Sequence, residues 1–465
     1  MIGLTLMGLV GAAGWIALGI GRPVDAVIAL AIYLGALAVI AARPMAAVPV
    51  LFGVLFFNRE VRRLLDWIQG EYSALPPTSL LVPALAFSMG LFALRDWRKL
   101  PRKIRIAVTF IFAGLGYGLL VGVTLGGAKF AAIFAALTWF SPVMGFLFVA
   151  RLRPSFACVK HWVLAAGVMT AIAGAYGWYQ WVIFPPWSEF WVVNSGMGSI
   201  GQPEPLKVRF FGPFGAPGQM GMTCSVVAAL LLMFRPLRAP ILWPLGIFLG
   251  ACAIASLVRS AWLTAGLCLI FFALFSRAGD KLRVTVTVVV VVLGLGLVLP
   301  MLPGGDKMID RLGTLSDVSN DGSFQGRVQF SGYALQAIAG RPWGFGMGTT
   351  GSAMERMGVG SARVMAFDNG FLQIPYALGL PGALLFWIGI VKLGILLGMT
   401  QPVDDNHRRL IRIAAALAVG HVAALAVSNF FKTDAALFPY ILFATALALP
   451  GRPSAGAPQV RSFPQ

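Results

Sequence analysis

The chain has 465 residues, of which 58% are hydrophobic and 11% are charged, and its mean hydropathy is +0.83. Soluble proteins are about half apolar with about a quarter of their residues charged, so this composition excludes a water-soluble globular protein. Continuous apolar runs of about 17–25 residues predict membrane-spanning helices, because helices satisfy their own backbone hydrogen bonds in lipid. We therefore predict an all-α polytopic membrane protein.

The formal net charge of +19 has two interpretations. A nucleic acid or an anionic lipid surface would be attracted by it. The better explanation is that Lys and Arg collect in cytoplasmic loops and set the topology, and we expect no nucleic-acid partner. The four cysteines, Cys158, Cys224, Cys252 and Cys268, are scattered and show neither a metal-ligand spacing nor an evident disulfide pair.

Hydropathy predicts roughly twelve to fourteen spans. The first run lacks a basic segment before it, so we interpret it as a span and not as a cleaved signal peptide. The predicted spans lie at about 3–20, 24–42, 45–57, 79–95, 105–125, 130–150, 162–184, 219–235, 239–257, 260–276, 284–302, 369–399, 410–428 and 434–450.

Basic loops predict the orientation. The segment 95–105 carries six basic residues against one acid and is assigned to the cytoplasm. The basic segments at 151–160, 235–238, 277–283 and 407–412 then fall on the same side, as do both termini. The segment 58–67 falls outside, against the charge bias, and we interpret it as an amphipathic segment lying along the membrane interface.

These assignments divide the chain into consecutive regions. They are an N-terminal transmembrane bundle (1–184), an external loop (185–218), central transmembrane helices (219–302), a large external loop (303–367), C-terminal transmembrane helices (368–450) and a disordered tail (451–465). The 303–367 loop is the longest polar interruption, and its glycines and the run "YALQAIAG" favour a structured loop.

Three external arginines come from three separate segments: Arg209, Arg259 and Arg327. Each alone fits a side chain that anchors to lipid phosphates. Together they suit a diphosphate, because each guanidinium offers a planar pair of donors and stays charged. The glycine loop "PWGFGMG" (342–348) either cradles a phosphate through Gly346 and Gly348 or forms a compact turn against the bundle, which is the favoured interpretation.

Asp368 precedes an apolar helix, where a carboxylate either caps free amides or acts as a general base. Asn369 would then orient the substrate or the carboxylate. Glu355, Asp317 and Asp321 are alternative carboxylates on the same loop. The external segments hold no His/Asp/Glu cluster, so we expect neither a catalytic metal nor a cofactor.

These residues, in this order, resemble the bacterial O-antigen ligase and O-antigen polymerase superfamily. The resemblance covers about 200–400 and rests on "RFFGPFGAPGQMG", "SLVRSAWL", "GRVQFSGYAL", "RPWGFGMG" and "DNGFLQIPYALGLPG". The ligase branch has a His-Asn or similar pair, nine residues and then G-x-x-G. Here Asn369, nine residues and Gly379 to Gly382 match that spacing, but Asp368 stands in the histidine position.

The resemblance implies a GT-C-like, metal-independent, inverting glycosyltransferase of the bacterial inner membrane, facing the periplasm and using an undecaprenyl-diphosphate-linked glycan as donor. Arg209, Arg259 and Arg327 would hold the diphosphate, and Asp368 would inherit the base role. Because the ligase histidine is replaced, we favour a polymerase of O-antigen or exopolysaccharide repeat units, with a chain-length regulator as a partner. The alternatives are a ligase, which transfers glycan to lipid A core or protein, a transporter or flippase, and a non-catalytic membrane assembly partner.

Overall fold

The structure is a computed structural model that describes residues 22–74, 76–126, 129–197, 200–313, 322–351, 367–429 and 436–448. It is 81% helical. Within the described residues there is no strand, and Gly201 and Val208 form an isolated antiparallel bridge. The predicted all-α architecture is therefore confirmed.

The helices run in chain order and are numbered here as they occur. They are α1 Pro23–Ala42, α2 Ala47–Ile68, α3 Leu81–Arg95, α4 Arg102–Leu125, α5 Lys129–Leu152, α6 Phe156–Ile183, α7 Pro186–Ser195, α8 Pro217–Phe234, α9 Ala239–Ala255, α10 Arg259–Phe275, α11 Ala278–Val298, α12 Gly305–Gly313, α13 Gly322–Gly340, α14 Gly370–Met399, α15 Asp405–Ala424 and α16 Leu437–Ala448.

Among the described residues, nine helices are long and apolar enough to cross a membrane, and α9, α10 and α16 are shorter apolar helices. The protein is therefore a multi-pass membrane protein, as predicted. The predicted span at 3–20 and the tail at 451–465 lie outside the described residues. The large loop is structured where it is described, because α12 and α13 lie in it.

The loops predicted to share one side of the membrane do meet. Asp96, between α3 and α4, forms ion pairs with Lys99 and with Arg151 at the end of α5, both at 2.7 Å. Hydrogen bonds from Lys99 and Arg151 hold the pKa of the Asp96 carboxyl below its ordinary value of 3.8. Arg277 likewise pairs with Asp405 at 3.4 Å. Which side of the membrane these loops face stays a prediction.

The segment 58–67 differs from its sequence interpretation. It is not a separate amphipathic stretch on an interface, because α2 continues through it to Ile68. Asn58, Arg62, Arg63 and Asp66 on this part of the helix are buried. Charges are buried only with partners, and these side chains face other parts of the protein that supply them. The polar positions that suggest a water-facing surface are instead an internal polar cluster.

Two glycines of the G-x-x-G motif shape α14. Gly379 has φ +67°, which kinks the helix, and the amide of Leu380 donates to Pro342 O at 2.8 Å. Gly382 packs against α4 so closely that a Cβ on it would lie 2.9 Å from the Tyr117 ring and 3.1 Å from the Gly114 carbonyl oxygen. The kink and the close contact explain why glycine occupies both positions. They also fasten the 342–348 loop to α14.

Candidate functional site

Arg327 and Asp368, predicted to share a site, are joined in the structure. Arg327 Nε donates to Asp368 Oδ2 at 3.0 Å across 41 residues of chain. The pair is open to its surroundings, with the Arg327 side chain 42% exposed and that of Asp368 62% exposed. A carboxylate in this position is held by one cation and remains accessible to a ligand.

An aromatic cluster brings Arg327 to this position. Phe330, one turn after Arg327 on α13, packs edge-on against Phe367 with 5.1 Å between ring centroids. Phe367 in turn contacts Tyr376 of α14 at 4.9 Å. Ala334 and Ile338 of α13 are buried in the same small core. Apolar burial of one face of α13 therefore fixes the helix that carries Arg327 beside Asp368.

Asp368 does not cap α14. The N-cap is Asn369, whose Oδ1 accepts from the Leu372 amide at 3.3 Å. The capping interpretation of Asp368 is thus wrong. The side chain of Asn369 caps the helix instead, and Asn is a strong N-cap residue. The orienting role proposed for Asn369 stays a prediction.

The backbone around Asp368 is fastened on both sides. Asn429 Nδ2 donates to Phe367 O. The Gly370 amide donates to Leu425 O and Ser428 O, both at 2.8 Å. Three hydrogen bonds to residues 425–429, which follow α15, therefore hold the three-residue segment that carries the carboxylate. Such support positions a reacting group before a substrate arrives.

Arg209 and Arg259 form a second group. Arg209 Nη2 donates at 3.3 Å to the carbonyls of Ser256 and Leu257, which lie three and two residues before Arg259 at the start of α10. A cation at a helix N-terminus opposes the helix dipole, at a cost of about 0.3–1 kcal/mol, and reinforces the attraction of that end for an anion. A shared diphosphate with Arg327 stays a prediction.

The glycine loop packs against the bundle. Gly346 and Gly348 have φ +91° and +86°. A Cβ at Gly346 would clash with the backbone of Gly122, and one at Gly348 with the backbone of Ala131 and Ala132. The structure supports the compact-turn interpretation at both positions. Phosphate binding by these glycines stays a prediction.

A cavity of about 410 Å³, with polar and apolar surface in about equal parts, lies beside this loop. Of the site residues predicted from the sequence, Gly348 lines this cavity in the part of the chain that the structure describes. Its cationic wall is Arg59, Arg62 and Arg63 of α2, which the sequence analysis missed. Their spacing in the sequence could have indicated this wall, because the three arginines follow an apolar run at positions i, i+3 and i+4, which share one helix face.

The cavity is linked to α14 by one hydrogen bond. Gln373, in the first turn after Asn369, donates to Thr350 Oγ1 at 3.2 Å, and Thr350 lines the cavity. Ala377, one turn further along α14, lines it too. The same helix therefore begins beside Asp368 and forms part of the cavity wall.

A second cavity, of about 300 Å³, is almost wholly apolar and lies between α10, α14, α15 and α16. Trp387, Leu425 and Ser428 are among its lining residues. Leu425 and Ser428 are the residues whose carbonyls hold the Gly370 amide. The apolar cavity therefore adjoins the segment that carries Asp368.

The alternative carboxylates Glu355, Asp317 and Asp321 lie outside the described residues. No group of three or more metal-binding side chains occurs among the residues that are described. The cysteines are free thiols.

A sequence-family model described as O-antigen ligase matches residues 244–387. The resemblance to the O-antigen ligase and polymerase superfamily is confirmed. The matched range contains Arg259, Arg327 and Asp368 but neither Arg209 nor the arginines of α2. Searches of curated proteins and of solved structures find no match. Members of this superfamily are glycosyltransferase-like membrane enzymes that act on lipid-linked glycans.

Proposed function

We propose that this member of the O-antigen ligase superfamily is a polymerase. It joins undecaprenyl-diphosphate-linked oligosaccharide units into O-antigen or exopolysaccharide at the periplasmic face of the inner membrane. The observation that carries the proposal is the ion pair between Arg327 Nε and Asp368 Oδ2 at 3.0 Å. It supplies an anchored carboxylate where the ligase branch has histidine.

In the proposed reaction the Asp368 carboxylate accepts the proton of the acceptor hydroxyl. The acceptor oxygen attacks the anomeric carbon of the donor sugar and forms the new glycosidic bond. The bond between that carbon and the diphosphate oxygen breaks, and its electron pair leaves with undecaprenyl diphosphate. Attack opposite the leaving group inverts the anomeric centre. Proton removal by a positioned base contributes about 10²–10⁴-fold to such a step.

Arg327, Arg259 and Arg209 would stabilise the charge on the departing diphosphate. Guanidinium groups bind phosphate oxygens in pairs and need no metal ion to do so. Arg259 adds its charge to the positive end of α10. Aligned cations of this kind act most strongly where charge develops in the transition state. This part of the mechanism is therefore metal-independent.

The apolar cavity supports a lipid-linked donor. Because Leu425 and Ser428 both line it and hold the backbone next to Asp368, a prenyl chain lying there would bring its diphosphate close to the carboxylate. Burial of apolar chain there contributes about 25 cal/mol per Å².

Both termini are proposed to be cytoplasmic, and a chain-length regulator is a proposed partner.

A ligase is the second candidate, because the matching family carries that description. The lipid-linked glycans of a deletion strain distinguish the candidates. Loss of a polymerase leaves single repeat units on the carrier or core. Loss of a ligase leaves long polymer on the carrier, and loss of a flippase traps units on the cytoplasmic leaflet. The proposal predicts the first result, restored by the wild-type chain and not by Asp368→Asn.

A further inference from the structure

The cavity beside the glycine loop is lined by three arginines that the proposed transfer step does not use. Arg59, Arg62 and Arg63 line it, whereas the acids of α2 that pair with two of them, Asp66 with Arg62 at 3.4 Å and Glu60 with Arg63 at 2.6 Å, are not lining residues. Arg62 and Arg63 are 7% and 1% exposed. A cavity with this wall favours a negatively charged occupant.

Two of these arginines are held in place by the protein. Arg63 Nη1 donates to Glu60 Oε2 at 2.6 Å and to Gly212 O at 2.7 Å. Arg62 Nη2 donates to Ser73 O at 2.5 Å. Arg59 is half-buried and lies against Gly215, where a Cβ would clash with its guanidinium. The cationic wall is therefore built by packing and is not a mobile surface feature.

The same cavity gathers buried polar atoms without partners. Among the described residues, six buried side-chain nitrogen and oxygen atoms that lack a hydrogen bond belong to residues lining it. They include Asn58 Oδ1, Thr78 Oγ1, Gln219 Oε1 and Trp191 Nε1. Asn58 and Thr78 are 6% and 1% exposed. Leaving a buried polar group unpaired costs about 1–3 kcal/mol, so a concentration of them marks a place where a ligand completes the hydrogen bonds.

The chemistry of these atoms selects the ligand. Asn58 Nδ2 donates to Thr78 O at 3.2 Å, which orients the amide so that its Oδ1 is an acceptor in need of a donor. A diphosphate at neutral pH offers mainly acceptor oxygens, so it would pair with the arginines and leave Asn58 Oδ1 unpaired. Sugar hydroxyls donate to amide oxygens, and a carboxylate on the same ring accepts from guanidinium. Trp139 and Trp191 also line the cavity, and the Arg63 guanidinium lies over the Trp191 ring at 4.7 Å.

We propose that this cavity binds an acidic sugar, a hydroxylated ring bearing a carboxylate, of the glycan that the enzyme handles. The volume of about 410 Å³ falls within the ~300–1,000 Å³ of small-molecule sites. The hydrogen bond from Gln373 to Thr350 connects the cavity wall to the helix that begins beside Asp368. That the sugar belongs to a substrate rests on the proposed function, whereas the chemistry of the ligand rests on the cavity alone.

The test uses the full-length protein in lipid nanodiscs with three probes: trigalacturonic acid, maltotriose and farnesyl diphosphate. Titration calorimetry should show binding of trigalacturonic acid that weakens as salt is added. Maltotriose, which has the hydroxyls without the carboxylates, should bind at least about tenfold more weakly. Farnesyl diphosphate should leave trigalacturonate binding unchanged, and competition by it would identify a phosphate site and overturn the proposal.

The variants separate binding from folding. Arg59→Gln should weaken trigalacturonate binding about tenfold. Thr78→Val and Gln219→Met should also weaken it, while the unliganded melting temperature is kept or raised, because each removes a polar atom that has no partner in the described protein. Wild-type affinity in both of these variants, or no binding of trigalacturonic acid to the wild type, would overturn the proposal.

Two controls complete the design. Thr445→Val makes the same substitution at a buried threonine whose hydroxyl donates to Ile441 O at 2.8 Å, so it should lower stability and leave binding unchanged. Asp368→Asn should abolish polymer formation and retain trigalacturonate binding. If this variant retains both, the assignment of Asp368 as the base fails while the cavity assignment stands. If the wild-type protein makes polymer but does not bind trigalacturonic acid, the cavity assignment fails while the proposed function stands.

Discussion

Removing either member of the Arg327–Asp368 pair should abolish glycan transfer without unfolding the protein. Asp368→Asn removes the base and keeps the shape of the side chain. Arg327→Gln removes the cation that holds it, 3.0 Å away. Because both residues are proposed to act in one step, the double variant should be about as inactive as either single variant.

A structural role and a catalytic role of the pair predict effects of different size on stability and on the rate of glycan transfer. Both side chains are more than a third exposed, so as a structural ion pair they contribute at most about 1 kcal/mol to stability. As a general base, Asp368 contributes about 10²–10⁴-fold to the rate. As a cation that stabilises the transition state, Arg327 contributes about 10²–10³-fold. A purely structural pair predicts a small change in melting temperature and normal polymer. The catalytic pair predicts the same small change and loss of polymer.

The assay is complementation of a deletion strain, with polymer resolved as a ladder on a gel and the amount of membrane-inserted protein measured alongside. Asp405→Asn is a matched control, because Asp405 forms an exposed ion pair with Arg408 elsewhere in the chain. It should leave the ladder unchanged. A normal ladder from Asp368→Asn at wild-type protein level would refute the assignment of the base.

Three further predictions concern stability. Asn369→Ala should lower the free energy of unfolding by about 1 kcal/mol through loss of the N-cap, and Asn369→Asp should restore most of it, as chemical denaturation would show. Gly348→Ala should lower the melting temperature because the backbone of α5 leaves no space and φ is +86°, whereas Gly326→Ala, in open helix, should keep or raise it. The pKa of Asp96 in the folded protein lies below its ordinary value of 3.8, so its ion pairs stabilise the fold above pH 3.8. This stability is lost as the pH falls through the lower pKa of the folded protein. Melting temperatures measured over a series of pH values should therefore fall less on the acid side for Asp96→Asn than for the wild type.

The sequence predicted the parts of the fold that depend on local composition. Apolar runs defined most helices, and two of the basic segments predicted to share one side of the membrane meet at the ion pair between Asp96 and Arg151. The segment 58–67 was misinterpreted because a helix face that is polar looks the same whether it meets water or an internal cavity. Only the packing of Gly212 and Phe214 around Arg63 distinguishes these cases.

The candidate site shows the same division. Arg327 and Asp368 were predicted together, through their order in a recognisable series of motifs, and the structure joins them. Asn369 was not predicted as the cap, because Asp and Asn are both strong N-cap residues and the choice depends on where the helix begins. The cavity lined by Arg59 was missed because its walls come from segments more than 280 residues apart in the chain.

The most direct test of the account is a reaction with purified protein and a single substrate, the undecaprenyl-diphosphate-linked repeat unit. Mass spectrometry would follow glycan length and released undecaprenyl diphosphate together. The account predicts glycans of several units on the carrier, with one released carrier for each bond formed, and neither product from Asp368→Asn. An unchanged repeat unit in the wild-type reaction, with transfer only after lipid A core is added, would contradict the polymerase and identify a ligase.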